Sequence, residues 1–258
     1  MSTLSKTIWT GFGLITAVFM LSPLVLVVLF SFGRNDLASF PMEGLTFTWY
    51  ETLFSNPDFW AALKNSAIVT GSVGAISTVV GSLAAFGVAR LRQKKAELTI
   101  LSLGLPLMLP PLVLALALVS SYTALGFHLG VQTVIPSQVV FIQPFVIFIV
   151  YARMAGFDYA VLDSARDLGA SPLRAFVSIT LPIIRPTIIG AALIAMALSL
   201  DDFIITYFTI GGGMTLPTLV WGMLRTSLKP DINAMATLII AFTVGSTVLA
   251  LWITRYRG

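Results

Sequence analysis

The sequence has no cysteine, a single histidine and little charge. With no Cys among 258 residues, disulfide bonds and thiolate metal ligands are excluded, and His128 alone cannot form a histidine-based metal site. Only 10% of the residues are charged, against roughly 25% in soluble domains, and mean hydropathy is +0.95. No Gly-x-x-x-x-Gly-Lys-Ser/Thr run occurs, so the chain lacks a loop that cradles nucleotide phosphates. These features indicate an integral membrane protein that does not bind nucleic acid and, without that loop, is not an ATPase.

Long apolar runs predict an all-α membrane protein with six transmembrane helices. A spanning helix needs about 20 mostly apolar residues. The predicted spans are 7–33, 65–89, 98–125, 137–152, 186–207 and 232–254. The first run is too long for the apolar region of a cleaved signal peptide, which indicates an uncleaved helix.

Two of the spans have unusual composition. The second is rich in Gly, Ala and Ser, which allow close helix approach, so we expect it to be central in the bundle. The third contains Pro106, Pro110 and Pro111, which remove backbone donors and are expected to kink or interrupt it. A static kink and a moving gate are both compatible with this pattern.

The distribution of basic residues predicts the orientation of the chain. Lys and Arg accumulate on the cytoplasmic side of membrane proteins. One set of loops and ends carries eleven of them: Lys6, Arg90, Arg92, Lys94, Lys95, Arg153, Arg166, Arg174, Arg185, Arg255 and Arg257. The other set carries four: Arg34, Lys64, Arg225 and Lys229. Both termini are therefore predicted to be cytoplasmic, as is the loop between the fourth and fifth helices.

That loop, residues 153–185, is charged and has helical periodicity. Val161, Ala165 and Leu168 share one face of a short helix, and Gly169 suits the left-handed position that ends it. Ser171-Pro172 is typical of the start of a second short helix, and Leu181-Pro182 with Pro186 is expected to end that helix before the fifth span. From periodicity alone, the loop could dock a partner or only pack under the bundle.

The spacing within this loop resembles a known signature. The loop is similar to the signature of type I, MetI-like permeases of binding-protein-dependent ABC importers. The matching pattern is Asp163-Ser164-Ala165, three residues, Gly169, nine residues and then 179–182 (Ile-Thr-Leu-Pro). Those permeases usually have Glu-Ala-Ala at the triplet. The resemblance implies that the loop forms a coupling helix in a cleft of an ATPase subunit. The residues that it assigns to coupling are Asp163, Ala165, Asp167, Gly169, Ala170, Ser171, Leu181 and Pro182.

The resemblance covers roughly residues 47–254. Segments 167–171, 199–203 and 231–238 look like the second permease of spermidine/putrescine importers. This implies a permease domain at 47–258, preceded at 1–46 by an N-terminal transmembrane helix and an external linker. It also implies a second permease subunit, two ATP-binding subunits that hold ATP and magnesium, and an external solute-binding protein. The expected location is the inner membrane of a bacterium, where the chain passes the bilayer several times and binds no cofactor itself.

Asp201 and Asp202 are acidic residues at the outer end of the fifth predicted span. They lie ~24 Å beyond Arg185 along a helix that rises 1.5 Å per residue. Carboxylates at this depth are costly unless they are paired or face a water-filled cavity. Two interpretations are therefore open: a structural pair or cap of a broken helix, or attraction of a cationic solute along the substrate path.

The sequence thus predicts a permease subunit of an ATP-driven importer for a small cationic solute, with a polyamine favoured over an amino-acid-like solute. A self-sufficient secondary transporter would be expected to have internally related halves, and no convincing repeat is present. A membrane scaffold that only recruits a partner through its cytoplasmic loop is the third hypothesis.

Overall fold

A computed structural model describes the backbone of residues 3–226 and 230–255, and the side chains of residues 9–226 and 230–245. Lys229 and Arg257, which enter the charge asymmetry, lie outside the described residues. In the described part, regular structure is helical apart from one isolated antiparallel bridge between Gly33 and Leu45. The helices are α1 Thr3–Phe30, α2 Thr48–Ser55, α3 Pro57–Val88, α4 Gln93–Leu103, α5 Leu105–Met108, α6 Pro111–Ala124, α7 Val131–Ala155, α8 Ala160–Asp167, α9 Pro172–Ala175, α10 Leu181–Asp201, α11 Ile204–Thr209, α12 Leu216–Thr226 and α13 Asp231–Arg255.

The chain forms two compact units. The first comprises residues 1–60 and 219–252, and the second comprises residues 61–218 and 253–258. In the first unit, the segment between α1 and α2 folds back so that the Trp49 indole donates to the Gly33 carbonyl at 2.7 Å. The hydroxyls of Ser31 and Tyr50 lie 2.7 Å apart. These contacts attach α2 to the end of α1.

The core of the second unit is built around α7. Buried side chains along α7 include Val134, Ile142, Val146 and Val150, and α10 packs along the same helix through Ile184, Ala191 and Ala195. The sequence predicted that the span rich in small residues would be central. The described side chains bury α7 more completely than α3, which has buried residues such as Val69 and Val73 but also exposed residues such as Val79 and Leu83.

Four helices in the described part are long and apolar enough to cross a membrane: Trp9–Phe30, Pro57–Val88, Val131–Ala155 and Pro172–Asp201. Two shorter apolar helices, Pro111–Ala124 and Asp231–Gly245, correspond to the third and sixth predicted spans. The fourth was predicted to begin near Ser137, but α7 begins at Val131 and continues through Pro136. Gly130 caps this helix: its amide donates to the Thr133 hydroxyl at 2.8 Å. Pro136 lies inside α7, where it removes one backbone donor without ending the helix.

The third predicted span is interrupted, as its prolines indicated. Helix α4 ends at Leu103, the short α5 is followed by extended backbone at Leu109 and Pro110, and α6 begins at Pro111. Proline at the first position of α6 costs no hydrogen bond, because that amide would have no helical acceptor. The static-kink and moving-gate interpretations both remain compatible with this break.

Candidate functional site

Helix α8 ends in a hydrogen-bonded corner at Gly169. The amide of Gly169 donates to the Arg166 carbonyl at 2.8 Å, and the amide of Ala170 donates to the Ala165 carbonyl at 3.0 Å. This pair of bonds is the Schellman arrangement, which places the residue after the helix in the left-handed region. Gly169 has a φ of +84°, as the sequence predicted. Only glycine adopts that conformation without strain, so the corner depends on this residue.

The second helix of the loop, α9, begins three residues after Gly169. The Ser171 side chain accepts a hydrogen bond from the Arg174 amide at 3.3 Å, and Pro172 occupies the first helical position. Both features match the sequence-based expectation for this start. The corner from Gly169 to Pro172 therefore fixes the direction in which the chain leaves α8.

Leu181-Pro182 does not end that second helix, which corrects the sequence-based expectation. A single π-helical turn at Phe176–Thr180 joins α9 to α10, so residues 172–201 form one continuous helix. The amide of Leu181 bonds the Phe176 carbonyl five residues back. This wider turn lies immediately before Pro182, which has no amide hydrogen and whose ring would crowd an α-helical carbonyl.

Two large apolar side chains of the loop are uncovered within the described chain. Leu168 is 89% exposed and Leu173 is 72% exposed. Helix α8 contacts the core through Leu162, whereas Val161 and Leu168, from the predicted apolar face, are exposed.

The remaining residues assigned to coupling lie around the same corner. Asp163 is exposed and pairs with Arg166 at 3.5 Å. Asp167 is also exposed, while Ala165 and Ala170 are half-buried. An exposed pair of this kind contributes at most about 1 kcal/mol, so the carboxylate at position 163 is available to a partner.

The two acids at the other end of this helix have different environments. Asp201 is the last residue of α10 and is exposed. Asp202 is half-buried in the break before α11, where its Oδ2 accepts hydrogen bonds from the Thr206 amide at 2.9 Å and the Thr206 hydroxyl at 2.8 Å. Asp202 therefore caps α11. The sequence predicted one helix through Tyr207, but the helix ends at Asp201.

Gln138 on α7 completes this arrangement and was missed in the sequence. Its amide nitrogen donates to Thr206 Oγ1 at 2.7 Å and to Asp202 Oδ2 at 3.2 Å. Its amide oxygen accepts from the Ser199 hydroxyl. Glutamines in a mostly apolar span, Gln138 and Gln143, were the available signal, because a buried amide is costly without partners.

The continuous helix 172–201 has an exposed, charged loop at one end and an acidic break at the other end. The chain carries no nucleotide-binding loop in its sequence.

The chain belongs to the family described as "Binding-protein-dependent transport system inner membrane component", whose profile matches residues 77–256. It is thus an ABC importer permease of the inner membrane and not an enzyme.

Curated relatives match along nearly the whole chain. The spermidine/putrescine transport system permease protein PotC of Haemophilus influenzae is 29% identical over 95% of this chain and 95% of its own length. The putrescine transport system permease protein PotI of Escherichia coli K12 is 31% identical over 93% of this chain and 88% of its own length.

Solved structures share the fold. A bacterial ABC transporter involved in the import of the acidic polysaccharide alginate aligns with a TM-score of 0.76, at 18% identity, over 99% of both chains. The MetNI methionine ABC transporter, in an inward-facing conformation, aligns with a TM-score of 0.64, at 16% identity, over 79% of this chain and 99% of that chain. At these identities the likeness concerns the fold alone.

Proposed function

We propose that this chain is the permease through which an ABC importer moves a polyamine such as spermidine or putrescine. The observation that carries the proposal is the match to PotC and PotI over more than nine tenths of the chain. The exposed carboxylate of Asp201 adds physical support, because a polycation needs negative charge where it leaves water. An amino-acid-like solute is the alternative, since permeases of the same fold occur in importers of methionine and alginate.

The proposed arrangement has six spans with both termini in the cytoplasm. The four long apolar helices and the two shorter ones support this count, and the basic residues support the orientation. The domain organisation proposed from the sequence is retained, with the permease domain at 47–258 after the first helix and its external linker. The chain is proposed to lie in the inner membrane of a bacterium.

The proposed partners follow from the family. A second, different permease subunit would complete the path across the bilayer, two ATPase subunits would bind ATP and magnesium, and an external binding protein would deliver the solute. An alginate importer with its periplasmic protein bound provides a precedent for the last partner in a permease of this fold.

The corner between α8 and α9 is proposed to dock on the ATPase subunit. Exposed Leu168 and Leu173 would supply apolar contact, and Asp163 and Asp167 would supply charge. The corner and Asp201 lie at opposite ends of residues 172–201, which span ~45 Å at 1.5 Å per residue. A displacement of the corner by the ATPase can therefore be transmitted along one helix to the acidic end.

Asp201 is proposed to face the solute path, while Asp202 is proposed to be structural. Asp202 already accepts hydrogen bonds from Thr206 and Gln138, so its charge is compensated inside the protein. Asp201 forms no ion pair within the described residues. A carboxylate at the end of a helix also lies near carbonyl oxygens without helical partners, which together attract cations.

Uptake by the reconstituted complex tests the proposal. The chain would be purified with its partner permease and ATPase and placed in liposomes. The binding protein would be added outside and ATP enclosed inside, as the proposed orientation requires. Accumulation of labelled spermidine and putrescine would then be measured. We expect ATP-dependent uptake of a polyamine that excess unlabelled methionine does not reduce. Uptake of methionine and not of either polyamine would overturn the substrate assignment, and uptake by the chain alone would overturn the ABC mechanism.

A further inference from the structure

Gln138 is a buried polar residue that contacts both sides of the break between α10 and α11. It is 1% exposed and lies on α7, a different helix from the two that it joins. Its amide bonds Ser199 in the last turn of α10, Asp202 in the break and Thr206 in the first turn of α11. A second contact, from the Thr133 hydroxyl to the Thr209 carbonyl at 2.7 Å, ties the far end of α11 to α7.

The break has a cost that these contacts offset. If α10 continued through Asp202 and Phe203 into α11, the backbone groups at the break would gain helical hydrogen bonds. The observed end at Asp201 instead depends on side-chain partners: Asp202 caps α11, and the Gln138 amide holds that carboxylate from α7. Because Asp202 only accepts hydrogen bonds when ionised, the nitrogen of the Gln138 amide must face it. The orientation of Gln138 is thus determined by the break.

We infer that Gln138 is a positioning residue for solute translocation: from α7 it sets where α10 ends, which withholds Asp202 from the solute and leaves Asp201 exposed. This inference rests on the proposed role of Asp201. Each residue added to a helix turns the next side chain by about 100°, so a break displaced by one residue would redirect the carboxylates that face the path. Gln138 itself lies too deep to contact the solute.

Accessibility of position 201 tests this inference without reference to any solute. The chain has no native cysteine, so Asp201→Cys provides a single thiol in the intact complex. We expect Gln138→Met to change the rate at which a cationic methanethiosulfonate reagent modifies that thiol by about tenfold, because the position of the break shifts in most molecules. An unchanged rate in a fully assembled Gln138→Met complex would overturn the inference.

Gln143 provides a matched control on the same helix. Both polar atoms of its amide are buried and have no hydrogen-bond partner within the described structure. Gln143→Met removes the same group at a site that does not touch the break, so the modification rate at position 201 should stay at the reference value. An equal change in the Gln143 variant would mean that any loss of a glutamine from α7 disturbs the bundle, which contradicts a specific role for Gln138.

Two further variants, which exchange the charged and uncharged groups of Gln138 and Asp202, test the inference if the Gln138→Met complex does not assemble. Gln138→Glu alone places two carboxylates together and should reduce the amount of complex in the membrane. The double variant Gln138→Glu with Asp202→Asn exchanges the two groups, so that the carboxylate is at position 138 and the amide donor is at position 202. It should recover both the amount of assembled complex and the amount of solute moved per ATP hydrolysed. A double variant no better than Gln138→Glu would overturn the inference, whereas absence of polyamine uptake by the unmodified complex would overturn only the proposed substrate.

Discussion

Val146 on α7 packs directly against Gly81 on α3: a β-carbon added at Gly81 would lie 2.7 Å from Val146 Cγ1 and 2.9 Å from its Cβ. Gly74 lies seven residues before Gly81 on α3, and a β-carbon added there would meet the side chain of Met196 on α10. Small residues let apolar helices approach closely, which is a main source of helix association in lipid. Helix α3 is therefore joined to α7 and α10 at two glycines.

Replacing Gly81 by alanine is expected to destabilise the complex. Valine is stiff at χ1 and cannot turn away from the added methyl group, so the helices must separate at a cost of about 1–3 kcal/mol. The measurement is the temperature at which the purified complex loses its ATPase activity. Gly71→Ala is the control, because a β-carbon there meets nothing within 4 Å. Equal thermal stability of the two variants would show that α3 does not depend on this contact.

Gly169→Val is expected to uncouple ATP hydrolysis from transport while leaving insertion intact. A β-branched residue at a φ of +84° is strained by about 1–3 kcal/mol, and relief of that strain would misplace α9 and its exposed Leu173. Transport and ATPase rates of the assembled complex measure the effect. Gly156→Val changes a glycine of negative φ with open space around it and should have little effect. Asp163→Ala should also do less, because its ion pair is exposed.

Normal transport by an assembled Gly169→Val complex would remove the corner from the mechanism. Failure of that variant to insert would instead assign Gly169 to folding.

The topology is tested by single cysteines. Lys94, Arg174 and Asp58 are exposed, so cysteine at each position should be reactive where the reagent can reach it. We expect an impermeant thiol reagent to label position 58 in intact cells, and positions 94 and 174 only after the membrane is opened. Lys229 is likewise predicted to be external. Labelling at 174 but not at 58 in intact cells would invert the orientation.

The two acids at the end of α10 should respond differently to neutralisation. Asp201→Asn removes an exposed charge and should lower polyamine uptake at least about fivefold, since two unit charges 4 Å apart interact by ~1 kcal/mol even in water. Its abundance in the membrane should remain normal. Asp202→Asn alters a carboxylate that accepts hydrogen bonds from Thr206 and Gln138. The loss should destabilise the folded protein by about 1–3 kcal/mol and so mainly lower its abundance in the membrane.

Immunoblots of membranes and uptake per assembled complex separate these outcomes. Wild-type uptake by an Asp201→Asn complex present at normal abundance would show that this carboxylate is not a solute determinant.

Local sequence signals predicted the features that depend on neighbouring residues alone. Gly169 and Ser171-Pro172 were identified because a left-handed residue and a helix cap each follow from side-chain type at one position. The interruption of the third span followed in the same way from Pro110 and Pro111. The effect of Pro182 was predicted wrongly, because a π-helical turn that accommodates it has no comparable signature in the sequence.

Contacts between distant segments required the tertiary structure. Asp201 and Asp202 are chemically identical neighbours. Asp202 is a structural cap because it accepts from Thr206, and Gln138, more than sixty residues earlier, adds a contact that the sequence did not predict. The deeper burial of α7 than of α3 was also undecided by composition, since small residues permit close packing without specifying which helix is enclosed more completely. The sequence by itself determined the apolar helices and the loop corner, through hydropathy and local backbone preference, and it predicted the orientation from charge. The tertiary structure decided which polar groups are satisfied internally and which remain exposed, because that depends on the partners each side chain meets.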